Sequence, residues 1–116
     1  EISGLKVIAD VIEDADVDEI IKIASELVKL DPKVVAVFFR VDITARVVVM
    51  VGRDGQELGL KADDVARAVS SELGGGGSGR SDFAQGGGTR INNVPLALSK
   101  VEEIVREKLG GVPHAA

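Results

Sequence analysis

The sequence predicts an α/β (α+β) domain: a mixed β-sheet with a β-α-β unit and a hairpin, packed by three helices. Three observations support this prediction. A β-branched run is followed by an apolar pattern at helical spacing and then by a second β-rich run. Two β-rich runs then lie close together, and two amphipathic segments come after them. Strands and helices in this order form layered sandwiches.

The first three elements predict the β-α-β unit. Residues 5–12, LKVIADVI, are rich in β-branched side chains and indicate a strand. Asp16 and Glu19 have the spacing of a capping box, which begins a helix that Pro32 ends. Residues 34–41, VVAVFFRV, are almost continuously apolar, which is typical of a central strand covered on both faces. The crossover between the two strands is expected to be right-handed.

The next run predicts a hairpin. Residues 46–53, RVVVMVGR, are the expected partner of the central strand, joined to it through DITA at 42–45. The RDG triplet at 53–55 indicates a turn.

Two helices complete the predicted fold. The first spans residues 62–73 and ends at Gly74, a residue type favoured after a helix C-terminus. The second spans residues 94–109, with Asn93 as its N-cap and Pro95 in its first turn.

Composition excludes several classes of site. The 116 residues are enough for one domain. The absence of cysteine excludes disulfides and thiolate chemistry, and the one histidine, His114, leaves no set of side chains for a zinc site or a Ser-His-Asp triad. Residues 111–116 are expected to form a flexible tail. No window is long and apolar enough to span a membrane, so a cytoplasmic location is the default expectation.

Charge is unevenly distributed along the chain. The net charge of −5 argues weakly against broad nucleic-acid binding, but the acidic excess lies in residues 1–73. Residues 74–109 are close to neutral, which makes them the more favourable place for a phosphate group.

The segment 74–88, GGGGSGRSDFAQGGG, is predicted to be a glycine-rich binding loop. Three interpretations remain open for its glycines. They form a flexible loop, they permit positive φ angles and close packing of elements, or they bring bare N–H groups to an anion. The segment is not a P-loop, and its match to G-x-G-x-x-G follows a helix instead of a strand.

The motifs around this segment resemble a known family. A Lys-Ala pair at 61–62 opens a helix, a glycine cluster follows it, Arg80 precedes an Asp-Phe-Ala-Gln run at 82–85, and a second glycine cluster occupies 86–88. This pattern is similar to the C-terminal domain of alanyl-tRNA synthetase, a domain type shared with DHH-family phosphoesterases. The resemblance covers residues 5–110.

The resemblance implies a single tRNA-binding domain over residues 1–116, cut from a larger enzyme and itself without catalytic residues. It would hold the elbow of tRNA(Ala), so that aminoacylation and editing sites share one tRNA. ATP and zinc would belong to other domains of the parent enzyme, and a homodimer would form through a helical segment upstream. Two alternatives stay open: the nucleic-acid substrate-binding domain of a DHH-family phosphoesterase, and a structural module.

The residues predicted to contact nucleic acid lie in the glycine-rich segment and just after it. Phe83 is a candidate for base stacking or, alternatively, for anchoring the segment to the sheet. The two arginines are candidates for phosphate contacts, against an alternative role in solubility. The full set is Gly75, Gly76, Gly77, Gly79, Arg80, Ser81, Phe83, Gln85, Gly86, Gly87, Gly88 and Arg90.

Overall fold

A computed structural model describes residues 2–109 and confirms the predicted mixed α/β fold. Five strands form one sheet, in which the first two strands along the chain are parallel and the other neighbouring pairs are antiparallel. The predicted tail at 111–116 lies outside the described residues. The strands are β1 (Lys6–Val11), β2 (Val34–Val41), β3 (Ala45–Val51), β4 (Gly77–Gly79) and β5 (Phe83–Gly88). They lie in the sheet in the order β1-β2-β3-β5-β4.

Helices cover both faces of the sheet. One face carries the helix that follows β1, and the other carries the helix that precedes β4 together with the two C-terminal helices. The predicted number of helices, three, is too low for residues 2–109. The helices there are α1 (Val17–Leu30), α2 (Arg53–Glu57), α3 (Ala62–Glu72), α4 (Val94–Ser99) and α5 (Val101–Lys108), with a 3₁₀ turn at Ile91–Asn93.

The capping box predicted for α1 is present. The Asp16 carboxylate accepts a hydrogen bond from the Glu19 N–H at 2.9 Å, and the Glu19 carboxylate accepts one from the Asp16 N–H at 3.1 Å. These bonds satisfy N–H groups that have no partner inside the helix. The helix ends at Leu30, just before Asp31 and Pro32, as predicted.

The strand β2 has the predicted limits and is covered on both faces. Phe39 and its alternate neighbours pack under α3, whereas Phe38 and its alternate neighbours pack under α1 together with Ile20 and Ala24. Burial on both faces explains the almost continuous apolar run, because neither face of residues 34–39 meets water.

The turn predicted at residues 53–55 is the start of the short helix α2 instead. Successive i→i−4 bonds run from the Gln56 N–H to the Gly52 carbonyl and from the Leu58 N–H to the Asp54 carbonyl, both at 3.2 Å. The Gln56 side chain also donates to the Val51 carbonyl at 3.0 Å, which ties this helix to the end of β3.

The single helix predicted over residues 94–109 is broken at Lys100, whose N–H is shared between the carbonyls of Leu96 and Ala97. The break lets both short helices press apolar residues into the core beneath α3. Asn93 makes no capping bond; its side-chain amide donates to the Glu72 carbonyl at 3.0 Å. Pro95 lies in the first turn, as predicted.

The glycine-rich segment differs most from the prediction, because residues 77–88 form the β4–β5 hairpin instead of a loop. A tight turn at Ser81 and Asp82 joins the strands, and the Arg80 N–H donates to the Phe83 carbonyl across it at 2.8 Å. Glycine disfavours strands in isolation. Here β3 supplies the hydrogen-bonding partner that stabilises β5, and β5 in turn pairs with β4.

Candidate nucleic-acid interface

The glycine-rich hairpin is continuous with the main sheet. Its strand β5 pairs with β3 along its whole length, from Met50 opposite Phe83 to Ala45 opposite Gly88. On its other side β5 pairs with β4, which is the edge strand. Backbone hydrogen bonds to β3 therefore hold the hairpin in place, whereas a free loop would make no such bonds.

Both ends of helix α3 make backbone hydrogen bonds with the hairpin or with the residues that follow it. At its N-terminus, where the helix has no side-chain cap, the N–H groups of Ala62 and Asp63 donate to the Ser81 and Arg80 carbonyls at 2.9 and 3.1 Å. At its C-terminus the Arg90 N–H donates to the Leu73 carbonyl at 2.9 Å. Groups that a helix end leaves without partners are thus satisfied by the hairpin and the chain that follows it.

The glycines on one face of the hairpin allow α3 to pack directly on its backbone. A Cβ added at Gly86 would lie 2.1 Å from the Ser70 hydroxyl oxygen, and one added at Gly88 would lie 2.1 Å from the Leu73 carbonyl oxygen. The buried Ser70 hydroxyl accepts a hydrogen bond from the Gly87 N–H at 3.0 Å. The protein itself therefore requires these glycines, as the close-packing interpretation holds.

Two other glycines differ from these. Gly74 has a φ of +76° immediately after α3, which agrees with its predicted role in ending the helix. Gly76 has no atom within 4 Å of the position that a Cβ would take. No neighbour in the described part of the chain therefore requires a glycine at position 76.

The opposite face of the hairpin is only partly covered. Strand alternation places Phe83, Gln85 and Gly87 there, with Ser78 paired opposite Gln85. We call these four residues the open face. Helix α1 lies on the same side of the sheet but packs over β2 and β3. Ser78 is exposed and the other three are half-buried, the Phe83 ring packing at the margin of the α1 core.

The two predicted phosphate-binding arginines are not brought together. Arg80 lies at the tip of the hairpin, where its guanidinium is 3.2 Å from the Asp82 carboxylate. Arg90 follows the far end of β5, and its side chain lies against Gly74. The six residues of β5 separate them by about 20 Å, at about 3.3 Å per residue.

An arginine that the sequence analysis did not select lies beside the open face. Arg46 is paired opposite Gly87, and it is exposed while the rest of β3 is buried. The signal in the sequence was a charge at the start of the apolar run of residues 46–53, which also ends on a charge, Arg53. Its position next to Gly87 depends on long-range pairing, which the sequence does not reveal.

Metal-binding clusters and membrane-spanning helices are not found among residues 2–109. No cluster of three or more carboxylate or imidazole side chains there is arranged to hold a metal ion. None of the helices in that range is long and apolar enough to cross a membrane. Hydrogen bonds from the Lys6 ammonium and the Lys33 N–H lower the pKa of Asp31, which is distant in sequence from the hairpin.

Comparisons with known proteins agree with one another. The DHHA1 domain family matches residues 4–107. Alanine–tRNA ligase of Methanococcoides burtonii is 32% identical over 109 residues, and that of Methanosarcina mazei is 37% identical over 106 residues. These matches cover 94% and 91% of this chain but 12% and 11% of the relatives, so the chain spans only a small part of their length.

A solved structure supports the same relationship. The crystal structure of the C-Ala domain from Aquifex aeolicus alanyl-tRNA synthetase has a TM-score of 0.81 and is 27% identical to this chain. The match covers 90% of this chain and 95% of that one. On the extent of the family match and of these similarities, the chain belongs to the DHHA1 domain family and is similar to the C-terminal domain of alanyl-tRNA synthetases.

Proposed function

We propose that this chain is the C-terminal tRNA-binding domain of an alanine–tRNA ligase and that it holds the elbow of tRNA(Ala). Held there, one tRNA would be available to both the aminoacylation and the editing sites of the whole enzyme. The chain itself performs no bond chemistry in this proposal. Those reactions, with their ATP and zinc, belong to parts of the enzyme outside this chain.

One observation carries the proposal: the similarity to the C-Ala domain extends over 95% of that domain and is not limited to a shared motif. The curated relatives with 32% and 37% identity are alanine–tRNA ligases as well. Similarity of this extent supports a shared role more strongly than the fold does, since one fold serves many functions.

The hairpin geometry is compatible with recognition of a folded RNA. The tRNA elbow presents a flat base surface, which an acidic domain can bind by shape and stacking with few phosphate contacts. A pleated strand pair with glycines offers a similarly flat backbone surface, and Gly76 leaves space beside it. An ordered surface also loses little conformational entropy on binding.

A gel-shift experiment tests the proposal. The 116-residue chain is titrated against tRNA(Ala), an acceptor-stem minihelix without an elbow, and single-stranded DNA of equal length, at about 100 mM salt because such affinities depend steeply on salt. We expect tRNA(Ala) to bind at least about tenfold more tightly than the other two, a difference of about 1.4 kcal/mol.

The alternatives give different results. Equal affinity for tRNA and the minihelix would contradict elbow recognition. Preference for single-stranded DNA would favour a substrate-binding domain of the phosphoesterase type, which is the other setting in which this domain type is expected. Binding to none of the three would overturn the nucleic-acid role altogether.

A further inference from the structure

We propose that Arg46 and the open face form the surface that contacts RNA, and that the face of the hairpin under α3 does not. This inference rests on the proposed function and refines it. It replaces a site spread over the whole glycine-rich segment with one side of the sheet. It also adds to the proposed site the positive charge of Arg46, which lies on β3 outside the glycine-rich segment.

The exposure of Arg46 is isolated within β3. Every other residue of β3 is buried, on one face or the other, whereas Arg46 is exposed. It lies on the face that also carries Val48 and Met50, beyond the part of the sheet that α1 covers. Its neighbours across the ladder are Gly87 on β5, which has no side chain to shield it, and Arg40 on β2.

The charge of Arg46 is available to a ligand. Within residues 2–109 its guanidinium makes no hydrogen bond and no ion pair with the protein. Arg40 and Arg80 are engaged, whereas Arg90, which also makes no ion pair in the described residues, lies past the end of β5 with its side chain against Gly74. Arg40 donates to the Ala15 carbonyl at 2.6 Å and lies 3.7 Å from the Asp42 carboxylate, and Arg80 is paired with Asp82.

Arg46 and the open face are chemically complementary to RNA. An exposed guanidinium binds a phosphate through two parallel hydrogen bonds. Beside it the open face offers the Ser78 hydroxyl and the Gln85 amide, which can exchange hydrogen bonds with a ribose 2′-hydroxyl or a base edge. A positive charge next to neutral hydrogen-bonding groups fits a phosphate with its ribose.

The other face of the hairpin is excluded by packing. Gly77, Gly86 and Gly88 lie against α3, where even one added carbon would be within 3 Å of protein atoms. A nucleotide is far larger than a methyl group, so it cannot enter this contact without displacing the helix. The glycines that look most accessible in the sequence are therefore split between two faces with different roles.

Charge variants of the 116-residue chain test the assignment, with Arg106→Gln as a matched control. Arg106 is also exposed and without an ion pair in the described structure, but it lies on α5, in the opposite layer. We expect Arg46→Gln to weaken tRNA(Ala) binding about fivefold to tenfold and to lower the slope of log Kd against log salt by about one. Arg46→Lys should retain the slope, because it retains the charge.

The outcomes separate this inference from the proposed function. If the unmodified chain binds tRNA(Ala) and Arg46→Gln behaves like Arg106→Gln, the RNA contact lies elsewhere and the inference is overturned. If the unmodified chain does not bind tRNA(Ala), the proposed function itself fails. Circular dichroism of each variant confirms that the exposed substitutions leave the fold intact.

Discussion

The two halves of the sheet are packed by opposite means. Around β2 and β3, large side chains such as Phe39 fill the space between the sheet and its helices. Around β4 and β5, helix α3 approaches the strand backbone itself, at Gly86 and Gly88. The first region is stabilised by the volume of its side chains, and the second by their absence.

This difference explains why close packing appears in the sequence as two different signals. A core built from side chains appears in the sequence as an apolar run, which is how β2 was located. A core built from backbone contact appears as glycine, which in isolation favours a loop. The same physical requirement for close packing is met in both places.

The largest expected effect is the loss of side-chain volume in the first region. We expect Phe39→Ala to lower the free energy of unfolding by about 3–5 kcal/mol, because Phe39 is fully buried and a cavity would remain. Chemical denaturation measures the change. Ile43→Ala is the control, since Ile43 is 90% exposed in the turn that joins β2 and β3 and should change stability by less than about 0.5 kcal/mol.

The second expected effect comes from adding volume in the other region. Gly88→Ala should destabilise the chain by about 1–3 kcal/mol or more, since its Cβ would lie 2.1 Å from the Leu73 carbonyl oxygen. Gly76→Ala is the matched control and should be neutral or stabilising by about 0.4–1 kcal/mol, because its Cβ meets no neighbour. Equal losses of stability in both variants would remove the distinction between the two regions.

The third expected effect concerns the N-terminus of α1, the helix that packs on β2 and β3. Asp16→Ala removes one half of the capping box of α1 and should reduce stability by about 1 kcal/mol. Asp14→Ala makes the same change of charge two residues earlier and should have little effect. If the two variants proved equally stable, charge and not the capping bond would explain the behaviour of this helix.

The smallest effect is a pH-dependent one at the junction of α1 and β2. The hydrogen bond from the Lys6 ammonium, and then that from the Lys33 N–H, lower the pKa of Asp31 below its ordinary value of 3.8. The ionised carboxylate therefore stabilises the fold above pH 3.8, and this contribution is lost as the pH falls through the lowered pKa. Asp31→Asn should reduce the thermal midpoint slightly at neutral pH.

The matching control for Asp31→Asn is pH itself. Toward the acid range in which the native carboxyl group is also protonated, the difference between the two chains should shrink. A difference that stays constant from neutral pH down to that range would show that the ion pair with Lys6 is not its source.

Prediction from the sequence succeeded where local signals and final structure agree. The capping box at Asp16 and Glu19, the stop at Pro32 and the apolar run of β2 each depend on neighbouring residues, and all three are confirmed. Gly74 as the end of α3 is confirmed for the same reason.

Prediction failed where distant partners decide the structure. The glycines of β5 become a strand only because β3 and α3 lie beside them, and Lys100 breaks the last helix to suit packing on α3. Arg46 illustrates the same limit for the interface, since its proximity to Gly87 follows from strand pairing across about 40 residues of sequence. The predicted RNA contacts themselves stay a prediction.

The most direct test of this account is the mobility of the glycine-rich hairpin in the chain without RNA. Backbone ¹⁵N relaxation should give order parameters of about 0.85 for residues 77–79 and 83–88, equal to those of β2 and β3. That result would mean that the surface is ordered before any tRNA arrives. Values below about 0.6 across these residues would contradict it, because the segment would then be a flexible loop.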